Sequence, residues 1–183
     1  SGLRFMGCMD EVRLWNTART AEQIRENMHL PLTGVETGLV SYWQFNEGSG
    51  DETVDNVSGN DGAMDYMDHN AWIDSTIPFG PGFADSQLVN NPGFYDFTDT
   101  NFRMTLNNAV TNEPITVTKL ETNPNMNPLD VDYVFDDQYW AINSFGDEAY
   151  NCDLTFSNIE GIAESDVNNP TFIKLYSRDG NSD

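Results

Sequence analysis

Lysine is almost missing from this chain. Two lysines and six arginines face 30 aspartates and glutamates, giving a formal charge of −22 over 183 residues. Binding to duplex nucleic acid needs Lys and Arg to displace counterions, so that class of partner is excluded. Docking on anionic lipid is excluded for the same reason. No apolar run approaches the roughly 18–20 residues that cross a bilayer. No basic stretch followed by an apolar one marks a signal peptide. Cysteine is equally scarce: Cys8 and Cys152 lack zinc or redox spacing, and two such distant thiols are more often unpaired core residues than a disulfide. The first and last residues abut strand-like sequence, so the segment reads as cut from a longer chain, and the missing leader says little about export.

What is present is a folding sequence with an acidic surface. Hydrophobic residues make up 38% and aromatics 12%, too much for a disordered acidic tail. The acidity belongs to both halves: four Lys/Arg face 13 acids in residues 1–80, and four face 17 in residues 81–183. A surface of this kind suits a salt-tolerant protein that can hold divalent cations.

Helical periodicity is also sparse. Short apolar/polar alternation, broken by Gly, Asn, Asp and Pro, predicts an all-β chain of antiparallel β-sandwich or jelly-roll modules. Met9–Trp15 and Leu39–Phe45 read as strands, and Trp72–Asp74 as the start of another. Between the first two lies one short helix near residues 20–29. There Thr20 and Gln23 form a capping box, Ile24 and Met28 an apolar stripe, and Pro31 a stop. A Gly/Ser/Asn/Asp-rich loop spans Gly48–Gly62. Two Pro and two Gly within Ile77–Gly82 mark a junction, dividing the chain into 1–80 and 81–183. In the second part, strands are expected at Phe102–Leu106, Ile115–Leu120, Val131–Phe135, Tyr139–Ile142, Leu154–Phe156 and Phe172–Tyr176. That spacing fits a β-sandwich of about 100 residues.

Catalysis finds little support. Asp10-Glu11 and Asp51-Glu52 are adjacent pairs whose side chains diverge on a strand, whereas glycoside cleavage needs two converging carboxylates. His29 and His69 have no metal-ligand spacing, and neither cysteine has a visible base. The expectation is a protein that is not an enzyme. Acids and the 21 Asn instead suit a hard cation such as Ca²⁺, with Asp55, Asn60 and Asp61 as one cluster on their loop. Asx turns explain the same residues without a metal. Exposed aromatic platforms for a glycan are sought at Tyr66 and Trp72, which lie in polar surroundings; Trp43 and Trp140, among apolar neighbours, read as core.

The string Phe5-Met6-Gly7-Cys8-Met9-Asp10-Glu11-Val12-Arg13-Leu14-Trp15-Asn16, continued by Ala18-Arg19-Thr20 and Glu22-Gln23-Ile24, resembles the closing strand and helix of laminin-G-like domains. These belong to the concanavalin A-like jelly-roll superfamily, which includes pentraxins. Gly38–Gly50 resembles the family's opening strand, and Asp55-Asn56-Val57-Ser58-Gly59-Asn60-Asp61-Gly62 the loop after it. The likeness covers residues 3–78. Met9 replaces the usual Ile, and the closing strand precedes the opening one with no middle strands between. The resemblance implies a structural Ca²⁺ where the two strands meet, drawing on Asp10 with Asn46 or Glu47. It also implies a strand left open for other segments of a larger parent chain, or for identical subunits, to complete by strand addition. Residues 81–183 more weakly resemble β-sandwich modules of bacterial surface proteins exported by the type IX route, through Val131–Phe135, Gln138–Ile142 and Asn169–Tyr176. Together these imply an extracellular, cell-surface protein, structural, adhesive or filament-forming. A carbohydrate-binding module of a secreted hydrolase is the alternative.

Overall fold

A computed structural model describes residues 5–65, 71–124, 137–146, 149–168 and 174–177. The chain is all-β, with antiparallel sheets and two short helices among the described residues. It divides into two compact units, one of Ser1–Thr20 with Pro31–Ser75, the other of Ala21–Leu30 with Thr76–Asp183.

In the first unit, β1 (Val12–Trp15) pairs antiparallel with β2 (Leu39–Trp43), Val12 opposite Trp43 and Arg13 opposite Tyr42. The two-residue strands β3 (Glu52–Thr53) and β4 (Gly62–Ala63) pin the following loop, and Asp55 makes a bridge back to Trp43. Strand β2 is buried on both sides because each face carries a polar assembly. Tyr42, on one face, is 1% exposed and Ser41, on the other, 2%. The inward side chain of β1 is the charged Arg13, paired with Glu11 just before the strand, while Leu14 stands half-exposed.

The second unit begins with helix α1 (Ala21–Asn27). Its strands are β5 (Gly82–Val89), β6 (Gly93–Phe97), β7 (Phe102–Leu106), β8 (Glu113–Leu120), β9 (Tyr139–Ser144) and β10 (Cys152–Phe156). They form two three-stranded sheets, β5-β8-β9 and β6-β7-β10 with β7 central, and a short helix α2 (Glu164–Asn168) follows. The inner faces of both sheets supply Val89, Phe97, Phe102, Met104, Leu106, Ile115 and Val117, and the β7–β8 connection adds Val110, to one core, which is a sandwich. Fully burying a side chain of this size contributes about 1.5–3 kcal/mol.

Strand β8 is buried on both faces, which explains a sequence alternating aliphatic residues with threonine. Ile115 and Val117 enter the core, while Thr116 and Thr118 are fully covered on the other side. Asn143, opposite Thr116, hydrogen-bonds the His29 ring at 2.8 Å, which places the end of α1 over that outer face. The other His29 ring nitrogen lies 2.7 Å from the Pro78 carbonyl. Gly82 is required where β5 meets β8: a Cβ there would lie 2.0 Å from the Lys119 carbonyl oxygen.

Several expectations shift. Ile24 is 57% exposed and Met28 38%, so the predicted stripe is not the buried side of α1. Instead Arg25, Glu26 and Asn27 are part-buried, and the Arg25 guanidinium sits 4.4 Å over the Phe145 ring. The strand expected from Trp72 does not form, and Lys174–Tyr176 is exposed and irregular. Strands β5 and β6 were not foreseen, because Asp85, Gln87 and Asp96 interrupt the alternation. The candidate at Val131–Phe135 lies outside the described residues, as do Phe172 and Ile173. Both cysteines are free, Cys8 exposed and Cys152 half-buried.

Candidate functional site

Among the described residues, a dense polar assembly is built on Asp55. Asp55 is 4% exposed, and four donors converge on its carboxylate. Oδ1 accepts from the Tyr42 amide at 2.9 Å and the Val57 amide at 3.0 Å. Oδ2 accepts from the Ser58 hydroxyl at 2.6 Å and the Asn60 amide at 3.2 Å. Burial by itself would push this carboxyl up; the Ser58 hydroxyl and the Tyr42 and Val57 amides outweigh it and hold the group far below its ordinary range. The loop is cross-tied elsewhere too. Asp61 Oδ1 accepts from the Asp55 amide at 2.9 Å, Trp43 Nε1 donates to the Asn60 carbonyl at 3.0 Å, and Asn60 Nδ2 donates to the Ser58 hydroxyl at 2.6 Å.

The loop brings Asp55, Asn60 and Asp61 together, with both Asp55 oxygens, Asp61 Oδ1 and Asn60 Nδ2 bonded within the loop or to β2. The Asp55 lone pairs are filled by protein donors, leaving it to organise a turn. Glu47 is used similarly: Oε1 accepts from the Val54 amide at 2.8 Å and the Thr53 hydroxyl at 3.2 Å. Asp10, just before β1, and Asn46, beyond β2, sit at the same end of the ribbon, Asp10 part-buried and Asn46 exposed. Among the described residues no group of three or more His, Cys, Asp or Glu side chains is placed to hold a metal ion.

The side chain at that end which takes part in a network is Glu11, not its neighbour Asp10. Tyr42 donates its hydroxyl to Glu11 Oε2, Arg13 reaches the same oxygen at 3.3 Å, and Gln44 Nε2 donates to the Tyr42 oxygen at 3.3 Å. Burial pushes the Glu11 carboxyl up, against the pull of Tyr42 and Arg13. Glu11 (φ 51°) and Phe45 (φ 58°) both adopt left-handed backbone here, a conformation that non-glycine residues rarely hold. Sequence reading missed this network because an Asp-Glu pair does not say which member turns inward; the signal was Arg13, two residues on, an opposite charge within reach of Glu11.

Of the aromatic candidates, Tyr66 lies outside the described residues. Trp72 is half-buried, its Nε1 donating to the Gly50 carbonyl at 2.9 Å and its ring 6.4 Å from that of Phe45. It is pinned as part of the first unit. Trp140 packs edge-on against Phe156, centroids 4.9 Å apart, and donates to the Thr100 carbonyl at 2.7 Å.

Comparison with family models, curated proteins and solved structures returned no match. The likeness to laminin-G-like domains therefore stands on its motifs. No helix among the described residues is long and apolar enough to cross a membrane.

Proposed function

We propose that this chain is a non-catalytic segment of an extracellular surface protein, working as a structural or adhesive β-module. The observation that carries the reading is the outward side of the first ribbon. Beside β1, which pairs only with β2 among the described residues, Phe5 is 70% exposed, Met6 94%, Met9 54% and Leu14 50%. A strand edge flanked by exposed apolar residues is a template for strand addition. Its partner is a neighbouring segment of a longer parent chain or an identical subunit. The acidic surface fits export into a medium rich in divalent cations. Within this proposal calcium belongs to the Asp10–Asn46 end of the ribbon, because both oxygens of the Asp55 carboxylate are already engaged by protein donors.

The test is association. Light scattering after gel filtration, across a hundredfold range of concentration, is expected to show oligomers that Met9→Glu with Leu14→Glu abolishes. A wild-type chain that stays monomeric, and whose β1 amides stay unprotected from hydrogen exchange when the natural flanking sequence is restored, overturns the reading. For calcium, the melting temperature of chelated protein is expected to rise on adding millimolar Ca²⁺, less so in Asp10→Asn; an unchanged curve removes the metal from the proposal.

A further inference from the structure

The outer faces of the two sheets in the second unit are used differently. That of β5-β8-β9 lies under α1, and its polar side chains bond one another, as Ser86 does Thr116 at 2.7 Å. That of β6-β7-β10 presents a two-row grid. The register aligns Asp96, Arg103 and Thr155 in one row, and Phe94, Thr105 and Asp153 in the next. At the Asp96 end the sheet opens into a hollow of about 340 Å³, where Asp99, Asn101 and Ser157 join the first row over Phe97 and Phe102.

Three properties of this surface point to one kind of ligand. Phe94 is 73% exposed although it lies inside a strand, so a flat apolar ring faces solvent beside hydrogen-bonding groups. The Arg103 guanidinium pairs with Asp96, Nη2 to Oδ2 at 3.0 Å, and lies over one side of the Phe94 ring, 5.6 Å from its centroid. A planar carboxylate–guanidinium pair held in this way offers donors and acceptors in a fixed fork. The hollow's rim is set by the backbone: Asp99 and Asn101 both have positive φ, 63° and 56°, and the Asn101 carbonyl accepts from the Ser157 amide at 2.9 Å. The grid measures roughly 10 by 7 Å, from a strand spacing of about 4.8 Å and a rise of about 3.4 Å per residue.

We propose that this face binds a neutral saccharide, one or two pyranose rings lying against the part of the Phe94 ring that Arg103 leaves open, with their hydroxyls on Asp96, Arg103, Thr155 and the rim. Charge and shape select the class. A net charge of −22 repels anionic glycans, and the exposed Phe94 ring beside hydrogen-bonding side chains suits the apolar face of an uncharged sugar ring. The site lies on a different unit from Trp72, and it does not depend on the strand-addition reading, whose test is oligomeric state.

The experiment is calorimetric titration of the whole chain with neutral hexasaccharides of β-1,4-glucose, β-1,3-glucose, β-1,4-mannose and β-1,4-xylose, with hexagalacturonate as the anionic comparison. At least one neutral probe is expected to bind, weakened at least tenfold by Phe94→Ala and by Arg103→Met, and unaffected by Trp72→Ala. Both weakening changes are at exposed positions, and an unchanged melting temperature confirms that each variant is folded; Thr155→Val, expected to weaken binding severalfold, supplies a third, milder probe. No neutral binding at millimolar concentration, or affinity that survives both Phe94→Ala and Arg103→Met, overturns the proposal. So does a preference for hexagalacturonate.

Discussion

Around Asp55 four protein donors close on one buried carboxylate; around Phe102 the neighbours are rings and aliphatic chains, with Phe97 at 5.6 Å and Phe156 at 5.2 Å between centroids. The first unit is thus held by directional bonds to a charge, the second by displaced water. The two mechanisms respond to different insults. Hydrogen bonds to a charged group are lost when the charge is neutralised, whereas apolar packing ignores pH and fails when volume is removed. Amide hydrogen exchange reads the units separately, through Tyr42 and Val57 in one and Ile115 and Val117 in the other.

The largest effect is expected from emptying the apolar side. Phe102→Ala removes a ring 3% exposed from the middle of the core and is expected to cost about 3–5 kcal/mol. Protection at Ile115 and Val117 should fall accordingly, and equally at pH 4 and pH 7. A loss below about 1 kcal/mol would mean that the core is loosely packed.

Next is the polar side. Asp55→Ala strands the Tyr42, Val57 and Asn60 amides and the Ser58 hydroxyl, and is expected to cost about 2–4 kcal/mol at pH 7. Protection at Tyr42 and Val57 should collapse. Asp55→Asn, which keeps the shape but sets an N–H₂ against donors, should recover little of it.

The same carboxylate makes the comparison pH-dependent. Its pKa is lowered in the fold from an ordinary 3.8, so the stability it contributes is present above that value and lost as pH falls below it. Glu36, lowered from 4.5 because the Thr33 amide and hydroxyl outweigh its burial, adds in the same direction. Glu11 acts oppositely: raised by burial, it penalises the fold at neutral pH, and the penalty lifts on acidification. Below pH 4 Asp55 dominates. Tyr42 and Val57 should lose protection between pH 4 and pH 2, and Asp55→Asn should flatten that limb; parallel acid limbs in the mutant and the wild type would show that other carboxylates govern it.

How much of this the sequence carried follows from the same contrast. Strand β7 was read to its exact ends, and β8, β9 and β10 to within a few residues, because residues facing an apolar core leave an alternating trace. The Asp55 loop was legible as a cluster but not as a hub, since the donors are mostly backbone amides, which no side-chain pattern records. The Asp96–Arg103 pair was invisible for another reason: it depends on the register of a strand, β6, whose alternation is of aromatics with aspartate and glycine.

The smallest expected effect tests the helix, where pattern and packing disagree. Ile24 fits an apolar stripe by spacing, yet it is 57% exposed, while Arg25 lies over Phe145 and the ring of His29 is bonded at both nitrogens. A seven-residue helix cannot stand on its own propensity, so its docking has to come from those contacts. Ile24→Gln should therefore change stability by less than about 0.5 kcal/mol. His29→Ala, which strands the Pro78 carbonyl and Asn143 amide inside the unit, should cost about 1–3 kcal/mol and expose the amides of β5. Were the two magnitudes reversed, the helix would be held by its apolar stripe, and the second unit would owe its outer layer to the same force as its core.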